Sequence, residues 1–112
     1  MKISVHGLGY VGSVSLACLA QGGHTVIGVD VNRNKVDLIN RGASPIVEKD
    51  LGRIIKAQRS KKRISATSDG ESAVLQSEVS FICVGTPSTR EGHLNLDGIF
   101  GKRAKPAEVA YA

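Results

Sequence analysis

The sequence has no tryptophan, few other aromatic residues and only two cysteines, Cys18 and Cys83. Neither cysteine has metal-ligand spacing to the scattered histidines, so we expect no metal site. Each cysteine lies within an apolar pattern, which predicts that both thiols are buried by packing rather than joined in a disulfide. These features favour a cytosolic globular protein over a secreted, disulfide-rich one.

Long apolar runs are also missing. No run approaches the ~20 residues that a membrane-spanning helix needs, so we expect no membrane segment. The apolar alternation of a strand begins at Lys2, and no hydrophobic leader with a cleavage site precedes it. Both observations predict a cytoplasmic location.

Positive charge exceeds negative charge, with a net charge of +5. Much of the excess falls in one stretch that contains Arg53, Lys56, Arg59, Lys61, Lys62 and Arg63. We interpret the stretch as the solvated face and end of a helix, where cations also suit the helix dipole. A phosphate-binding patch is the alternative. Aromatic residues do not interleave with these cations, which disfavours a nucleic-acid partner.

What the sequence does contain is an alternation of strand and helix patterns. Strands are predicted at residues 2–6, 24–30, 64–67 and 79–84. Helices are predicted at residues 10–21, 33–40, 49–59 and from 68–71 to about residue 76. This order predicts an α/β fold with a parallel sheet of about four strands and helices on both faces.

Two finer predictions concern the helices. Val11, Val14 and Cys18 fall at helical spacing, so we expect them to form the buried stripe of the first helix. Ser68 and Glu71 have the spacing of a capping box, which predicts that the last helix opens at Ser68.

A glycine-rich turn lies between the first predicted strand and the first predicted helix. Residues 7–12 match G-x-G-x-x-G, and the match gains weight because a strand ends before it and a helix begins within it. Gly7 permits the tight turn, Gly9 lets a pyrophosphate approach the backbone, and Gly12 lets the helix pack on the strand. The N–H groups at the helix start suit phosphates. The pattern predicts a Rossmann-type dinucleotide-binding fold.

An acidic residue, Asp30, ends the second predicted strand, where a carboxylate accepts hydrogen bonds from the adenosine ribose. It would also repel a 2′-phosphate, so we expect NAD rather than NADP, although Arg33 lies close enough to weaken this preference. The alternative is that Asp30 merely ends a strand or caps a helix. No nucleophile–base pair and no carboxylate pair is placed by a motif, so we assign no catalytic residue.

Four sequence strings together resemble a known family. GLGYVG, VIGVDVNRNKVDLIN, SPIVE and SFICVGTPS resemble the N-terminal NAD-binding domain of the UDP-glucose/GDP-mannose dehydrogenase family, over about residues 1–97. The similarity is greatest to the GDP-mannose branch, which serves alginate biosynthesis. The resemblance implies an oxidoreductase that converts the C6 alcohol of a nucleotide sugar into a carboxylate in two steps and reduces two NAD.

The resemblance also implies roles for single residues. Tyr10 and Val11 would contribute to the pyrophosphate turn, and Asp30 and Lys35 would contact the adenosine ribose. Thr86, in the G-T-P loop after the last strand, would lie beside the cofactor. Without the family, Lys35 is a solvated helix lysine and the loop at Thr86 is an ordinary turn.

The resemblance stops after Asp97. The family continues with a sugar-nucleotide domain and a catalytic cysteine in a downstream glycine-rich segment, and neither Cys18 nor Cys83 matches that position. We therefore predict a partial NAD-binding domain at residues 1–97 and a divergent, disordered tail at residues 98–112. A truncated gene would produce this pattern, and we expect no turnover from the chain alone.

The leading hypothesis is thus the NAD-binding part of a nucleotide-sugar dehydrogenase. In a split enzyme, the first alternative, a second chain supplies the nucleotide-sugar site. The sheet would end with an open edge at residues 79–84, which also predicts self-association. A non-catalytic nucleotide- or nucleic-acid-binding module and a methyl-transfer domain are further alternatives. The glycine spacing and the G-T-P loop argue against methyl transfer.

Overall fold

The computed structural model describes residues 1–83 and the backbone of residues 109–111. The strands in this part of the chain are β1 (Lys2–His6), β2 (Thr25–Val29), β3 (Ile64–Thr67), β4 (Val79–Ile82) and β5 (Val109–Tyr111). The helices are α1 (Tyr10–Gln21), α2 (Arg33–Asn40), α3 (Leu51–Ser60) and α4 (Gly70–Gln76). Among the described residues, no helix has the length and apolar character needed to cross a membrane.

The strands form one sheet in the order β3-β2-β1-β4-β5, and every neighbouring pair is parallel. Ile3 of β1 lies opposite Val26 of β2 on one side and opposite Val79 of β4 on the other. Parallel strands need crossover connections. Helix α1 connects β1 to β2, α2 and α3 connect β2 to β3, and α4 connects β3 to β4. The predicted α/β fold with a parallel sheet is confirmed.

Helices cover both faces of the sheet, as predicted. On the face of α1 and α3, the buried apolar residues are Ile3, Val5, Leu8, Leu16, Ala17, Ala20, Val26, Ile39, Leu51, Ile55 and Ile64. On the other face, Ile27 and Val29 form a cluster with Ala73 of α4. Side chains alternate along a strand, so Val26 and Ile27 enter different clusters. Strand β2 is therefore buried on both faces.

The buried face of α1 differs from the predicted one. We predicted a stripe of Val11, Val14 and Cys18, but Val11 is 50% exposed and Cys18 is exposed. The buried residues after the first turn are Ser13, Leu16, Ala17 and Ala20. Apolar residues occupy both rows at helical spacing, so periodicity did not distinguish them.

Strand β5 bears on three predictions. Of residues 98–112, which were predicted to be a disordered tail, the structure describes only 109–111, and these pair with β4, with Val109 opposite Ser80. The sheet has five strands, close to the predicted number of about four. Strand β4 also has a neighbour on each side, so the open edge predicted at residues 79–84 is wrong. A strand of three residues is too short for a periodic signal. Residue 84 and the rest of the tail lie outside the described residues.

Side-chain caps mark the starts of α2 and α4. Asn32 caps α2, as predicted, and its side chain accepts a hydrogen bond from the Asn34 N–H at 3.0 Å. Helix α4 begins after Asp69, whose Oδ1 accepts from the Ser72 N–H at 3.1 Å. The predicted opening at Ser68 is therefore wrong by one position. Serine and aspartate are equally good capping residues, and the sequence did not separate them.

Candidate cofactor site

The carboxyl ends of β1, β2 and β4 meet at one edge of the sheet. His6 ends β1 and lies opposite Val29 of β2 and Ile82 of β4. Ligands of open parallel sheets bind beyond this edge. The glycine turn follows β1 there, and Asp30 follows β2.

Gly7 begins the glycine turn with a positive φ of 105°, a conformation that favours glycine. Its N–H donates to the carbonyl of Val29 at 2.7 Å, which attaches the turn to β2. Leu8 follows with a fully buried side chain. The chain therefore turns sharply at Gly7, as the sequence predicts, and enters α1 at Tyr10.

Gly9 and Gly12 lack side chains for different reasons. A Cβ at Gly12 would lie 1.6 Å from the carbonyl oxygen of Gly7, so only glycine lets α1 pack so close to the turn. A Cβ at Gly9 would have no atom within 4 Å. Gly9 therefore leaves open a space that a side chain would fill, directly at the start of α1. This space fits a ligand that approaches the backbone.

The start of α1 offers free donors. Gly9 caps the helix without any side-chain hydrogen bond, and the first turn carries no acidic residue. The first turn of an α-helix has N–H groups with no partner inside the helix, and here they belong to Tyr10, Val11 and Gly12. Tyr10 is 60% exposed and Val11 is 50% exposed. The arrangement suits an anion, because donors and the positive end of the helix dipole coincide.

Asp30 joins the glycine turn to the loop after β2. One carboxylate oxygen, Oδ2, accepts a hydrogen bond from the Leu8 N–H at 2.8 Å. The other oxygen, Oδ1, accepts from the Asn32 N–H, also at 2.8 Å. A carboxylate has about four acceptor positions, so about two remain for the hydroxyl groups of a ligand. Asp30 is half-buried at the edge where a ribose would lie.

The other predicted site residues lie at the start of α2 or outside the described residues. Lys35 lies in the first part of α2, and its ammonium has no hydrogen bond or ion pair with the described part of the chain. Arg33 is exposed at the first position of the same helix. Thr86 lies outside the described residues. The structure thus brings Gly7, Gly9, Tyr10, Val11, Gly12 and Asp30 to one edge of the sheet.

The two cysteines are unpaired and lie on different elements. Cys18 is exposed on α1, contrary to the predicted burial, whereas Cys83 is half-buried directly after β4. Burial raises the pKa of the Cys83 thiol, which disfavours the nucleophilic thiolate.

The basic stretch on α3 includes one arginine that stabilises the fold. The Arg59 guanidinium donates to the carbonyl of Asn40 at 3.1 Å and to that of Ile64 at 2.7 Å. It therefore connects α3 with the end of α2 and the start of β3. Arg53 is exposed and pairs at 3.7 Å with Asp50, the residue directly before its helix.

One contact near the turn was not predicted from the sequence. The carboxylate of Glu48, in the loop between α2 and α3, forms a hydrogen bond with Tyr10 and raises the pKa of the tyrosine hydroxyl. This loop therefore reaches the first residue of α1. The residues are far apart in the chain, and no local pattern indicates that they meet.

A buried polar cluster connects β1 with β4 and the end of α4, and it was also missed. Ser4 Oγ is 2.8 Å from Ser80 Oγ, 3.0 Å from Ser77 Oγ and 3.0 Å from His6 Nε2. Burial lowers the pKa of His6 from 6.5 to about 4, so the ring is neutral at pH 7. Ser4 and His6 alternate with apolar residues in β1, which was the available signal for a shared polar face.

The sheet order, the glycine turn and the carboxylate after β2 define a Rossmann-type dinucleotide-binding domain. Residues 1–104 match the sequence profile described as the UDP-glucose/GDP-mannose dehydrogenase family, NAD binding domain. The chain belongs to this family, and its cofactor is NAD. The resemblance and the cofactor predicted from the sequence are confirmed.

Individual relatives agree with this assignment. The chain is 56% identical over 96 residues to GDP-mannose 6-dehydrogenase of Pseudomonas aeruginosa, covering 86% of this chain and 22% of the relative. It is 41% identical over 101 residues to UDP-glucose 6-dehydrogenase of Rhizobium meliloti, covering 89% and 23%.

Among solved structures, a ternary complex of GDP-mannose dehydrogenase from Pseudomonas aeruginosa superposes with a TM-score of 0.81 at 47% identity. The match covers 99% of this chain and 28% of that one. The chain therefore spans about a quarter of the length of the proteins it matches.

Proposed function

We propose that the chain binds NAD with the pyrophosphate over residues 7–12 and the adenosine ribose at Asp30. The Asp30–Leu8 hydrogen bond of 2.8 Å carries the proposal, because it places the carboxylate directly beside the glycine turn. A ligand with a diphosphate attached to a ribose can then use the free donors of α1 and the free acceptor positions of Asp30 together.

Each residue of the turn has a separate part in this proposal. Gly7 supplies the sharp bend, and Gly12 lets α1 pack against it. Gly9 leaves room for the diphosphate, which accepts hydrogen bonds from the N–H groups of Tyr10 and Val11. The absence of acidic residues in the first turn of α1 favours the anion further.

The remaining contacts favour NAD over NADP. Asp30 accepts hydrogen bonds from the ribose hydroxyls and repels a 2′-phosphate. Lys35 lies in the first turn of α2, shortly after Asp30 in the chain, and we assign its ammonium to a ribose hydroxyl. Thr86, carried over from the family's G-T-P loop, completes the proposed set.

We further propose that the parent activity is oxidation of GDP-mannose at C6, in polysaccharide biosynthesis of the alginate type. The identity to the GDP-mannose relative is 56%, against 41% to the UDP-glucose relative, which supports the choice of substrate. NAD supplies the hydride acceptor for that chemistry. Residues 1–112 bind the cofactor without turnover, because neither Cys18 nor Cys83 matches the position of the family's catalytic cysteine and burial raises the pKa of the Cys83 thiol.

The proposed partners are NAD and, only where a sugar-nucleotide domain is supplied, a nucleotide sugar. Self-association through the edge of β4 is not proposed, since β5 occupies that edge. The two unpaired cysteines suit a reducing compartment, and we propose a cytoplasmic location.

Calorimetric titration of the chain with NAD and NADP tests the binding. We expect NAD to bind more tightly than NADP, and Asp30→Ala to weaken NAD about 10- to 100-fold, because charged hydrogen-bond acceptors are lost. Asp37→Asn removes an exposed carboxylate from α2 and serves as the matched control. Absence of heat with millimolar NAD, or equal weakening by both variants, contradicts the proposal.

Incubation of the chain with NAD and GDP-mannose tests the absence of turnover. We expect no increase in NADH absorbance over the uncatalysed background. Steady NADH formation that requires GDP-mannose would show that the chain has a catalytic centre of its own.

A further inference from the structure

Leu8 lies between two glycines of the turn, and contacts hold it from several sides. Its N–H donates to Asp30 Oδ2 at 2.8 Å, and its carbonyl accepts from Ser13 Oγ at 3.0 Å. Its side chain is fully buried against Gly28, where an added Cβ would come within 2.9 Å of Leu8 Cδ2. Both backbone polar groups of Leu8 are thus fixed by side chains from other positions.

The hydrogen bond of Ser13 is not the usual one for a serine in a helix. A helical serine commonly donates back to the carbonyl four residues earlier. In α1 that carbonyl, of Gly9, accepts from the Ser13 backbone N–H at 2.9 Å, as in any α-helix, and does not accept from the hydroxyl. The Ser13 hydroxyl reaches one residue further, out of α1 and into the turn. Ser13 is fully buried, so a ligand above the turn does not touch it.

The flanking glycines make such support necessary. Glycine has more accessible backbone conformations than any other residue, so a turn with Gly7 and Gly9 on either side of Leu8 loses much entropy when it is fixed. If the turn were free to change shape, only a fraction of the molecules would have the shape that binds the ligand. The observed affinity would then be the intrinsic affinity multiplied by that fraction. Fixing Leu8 in advance removes this loss.

We propose that Ser13, together with Asp30, is a positioning residue that holds the glycine turn in its phosphate-binding shape before the cofactor arrives. The inference rests on the proposed function, in which this turn binds the diphosphate. Ser13 acts only through the carbonyl of Leu8. Asp30 acts through the Leu8 N–H in addition to its proposed contact with the ribose.

Ligands with and without a diphosphate separate this role from a general loss of stability. In Ser13→Ala we expect ADP and NAD to bind about 5-fold more weakly, as for the loss of one hydrogen bond, while adenosine binds as in the wild-type chain. A variant that is merely less stable would weaken all three ligands in the same ratio. Ser15→Ala removes a hydroxyl that is half-buried on the same helix and should leave all three affinities unchanged.

Two variants of Asp30 test its proposed role in positioning the Leu8 N–H. The ligand is inorganic pyrophosphate, which has no ribose. Asp30→Ala and Asp30→Asn remove the same negative charge, which by itself strengthens anion binding. Only the asparagine retains an oxygen that can accept from the Leu8 N–H. We expect Asp30→Ala to bind pyrophosphate several-fold more weakly than Asp30→Asn. Hydrogen exchange of the Leu8 amide should be slow in the unliganded wild type and fast in Asp30→Ala.

The outcomes distinguish the two proposals. If the wild-type chain fails to bind NAD, the proposed function is overturned and this inference with it. If the wild type binds NAD but Ser13→Ala binds ADP equally well, the role of Ser13 alone is overturned. If Ser13→Ala does not fold, the comparison of Asp30→Ala with Asp30→Asn tests the inference. Equal affinity of these two variants for pyrophosphate overturns the proposal that the turn is held in advance through Leu8.

Discussion

Gly9 and Gly12 belong to the same turn, yet an added methyl group meets different surroundings at each. At Gly12 the methyl carbon would overlap the carbonyl oxygen of Gly7, and at Gly9 it would enter open space. One glycine is therefore required by packing. The other is free of packing constraints and is explained by the space it leaves for a ligand.

Alanine substitutions should separate these two requirements. We expect Gly12→Ala to lower the free energy of unfolding by about 3 kcal/mol or more, since the overlap forces the backbone to move. We expect Gly9→Ala to cost at most about 1 kcal/mol but to abolish detectable NAD binding. Urea unfolding and NAD titration measure the two quantities. Comparable stability losses in both variants would show that Gly9 is also a packing residue.

His6 makes stability depend on pH. Its pKa is about 4 in the folded chain against 6.5 when exposed, so the unfolded chain takes up the proton first as the pH falls. The contribution of His6 to the free energy of unfolding is thus fully present above pH 6.5. About 3 kcal/mol of it is lost as the pH falls from 6.5 to about 4. Unfolding curves at pH 7 and pH 4.5 should show a smaller difference for His6→Gln than for the wild type. An equal pH dependence would mean that His6 is not the group responsible.

The elements themselves were largely predictable from sequence because their signals are local. The predicted bounds of β1, α1, α2 and β3 agree with the structure, where glycines, caps and alternation mark the ends. The buried face of α1 and the strand β5 were not predictable, since both depend on which surface the rest of the chain covers. The same division holds at the site. The turn and Asp30 follow from local motifs, whereas Glu48 and the Ser4 cluster depend on tertiary contacts. The contact of Ser13 with Leu8 is local, but no sequence motif marks it.

The loop between α2 and α3 should be detectable through Tyr10. Glu48 holds the pKa of Tyr10 above its ordinary value of 10.0, so Glu48→Gln should lower it toward that value. Ultraviolet absorbance titration measures the change, and Tyr10→Phe identifies the transition because the chain has only two tyrosines. Glu71→Gln, on α4, is the control. An unchanged Tyr10 transition in Glu48→Gln would show that the loop does not contact α1.

Strand β5 should protect the edge of β4. Ala110 lies opposite Phe81, and proline at this position removes a backbone N–H from a strand. We expect Ala110→Pro to release β5 and to cause concentration-dependent association through the exposed β4 edge. Sedimentation velocity over a range of concentrations measures this, with Ala110→Val as the control. If Ala110→Pro sediments like the wild type, β5 is not what keeps that edge unavailable.

In the whole molecule, the placement of NAD that we propose uses only the adenosine side of a dinucleotide site. The turn, the start of α1 and Asp30 all lie beyond the carboxyl ends of β1 and β2. The relatives that share this domain are about four times longer than the matched region. We therefore expect the chain to recognise NAD chiefly through its adenosine diphosphate half, so that ADP competes with it.

Backbone amide NMR during an NAD titration reports where the cofactor lies on the chain. We expect the largest shifts at residues 8–13 and 30–35, saturating with NAD, and much smaller shifts on the basic face of α3. Shifts concentrated on α3, or shifts at residues 8–13 that saturate at the same concentration of NADP as of NAD, would contradict this placement.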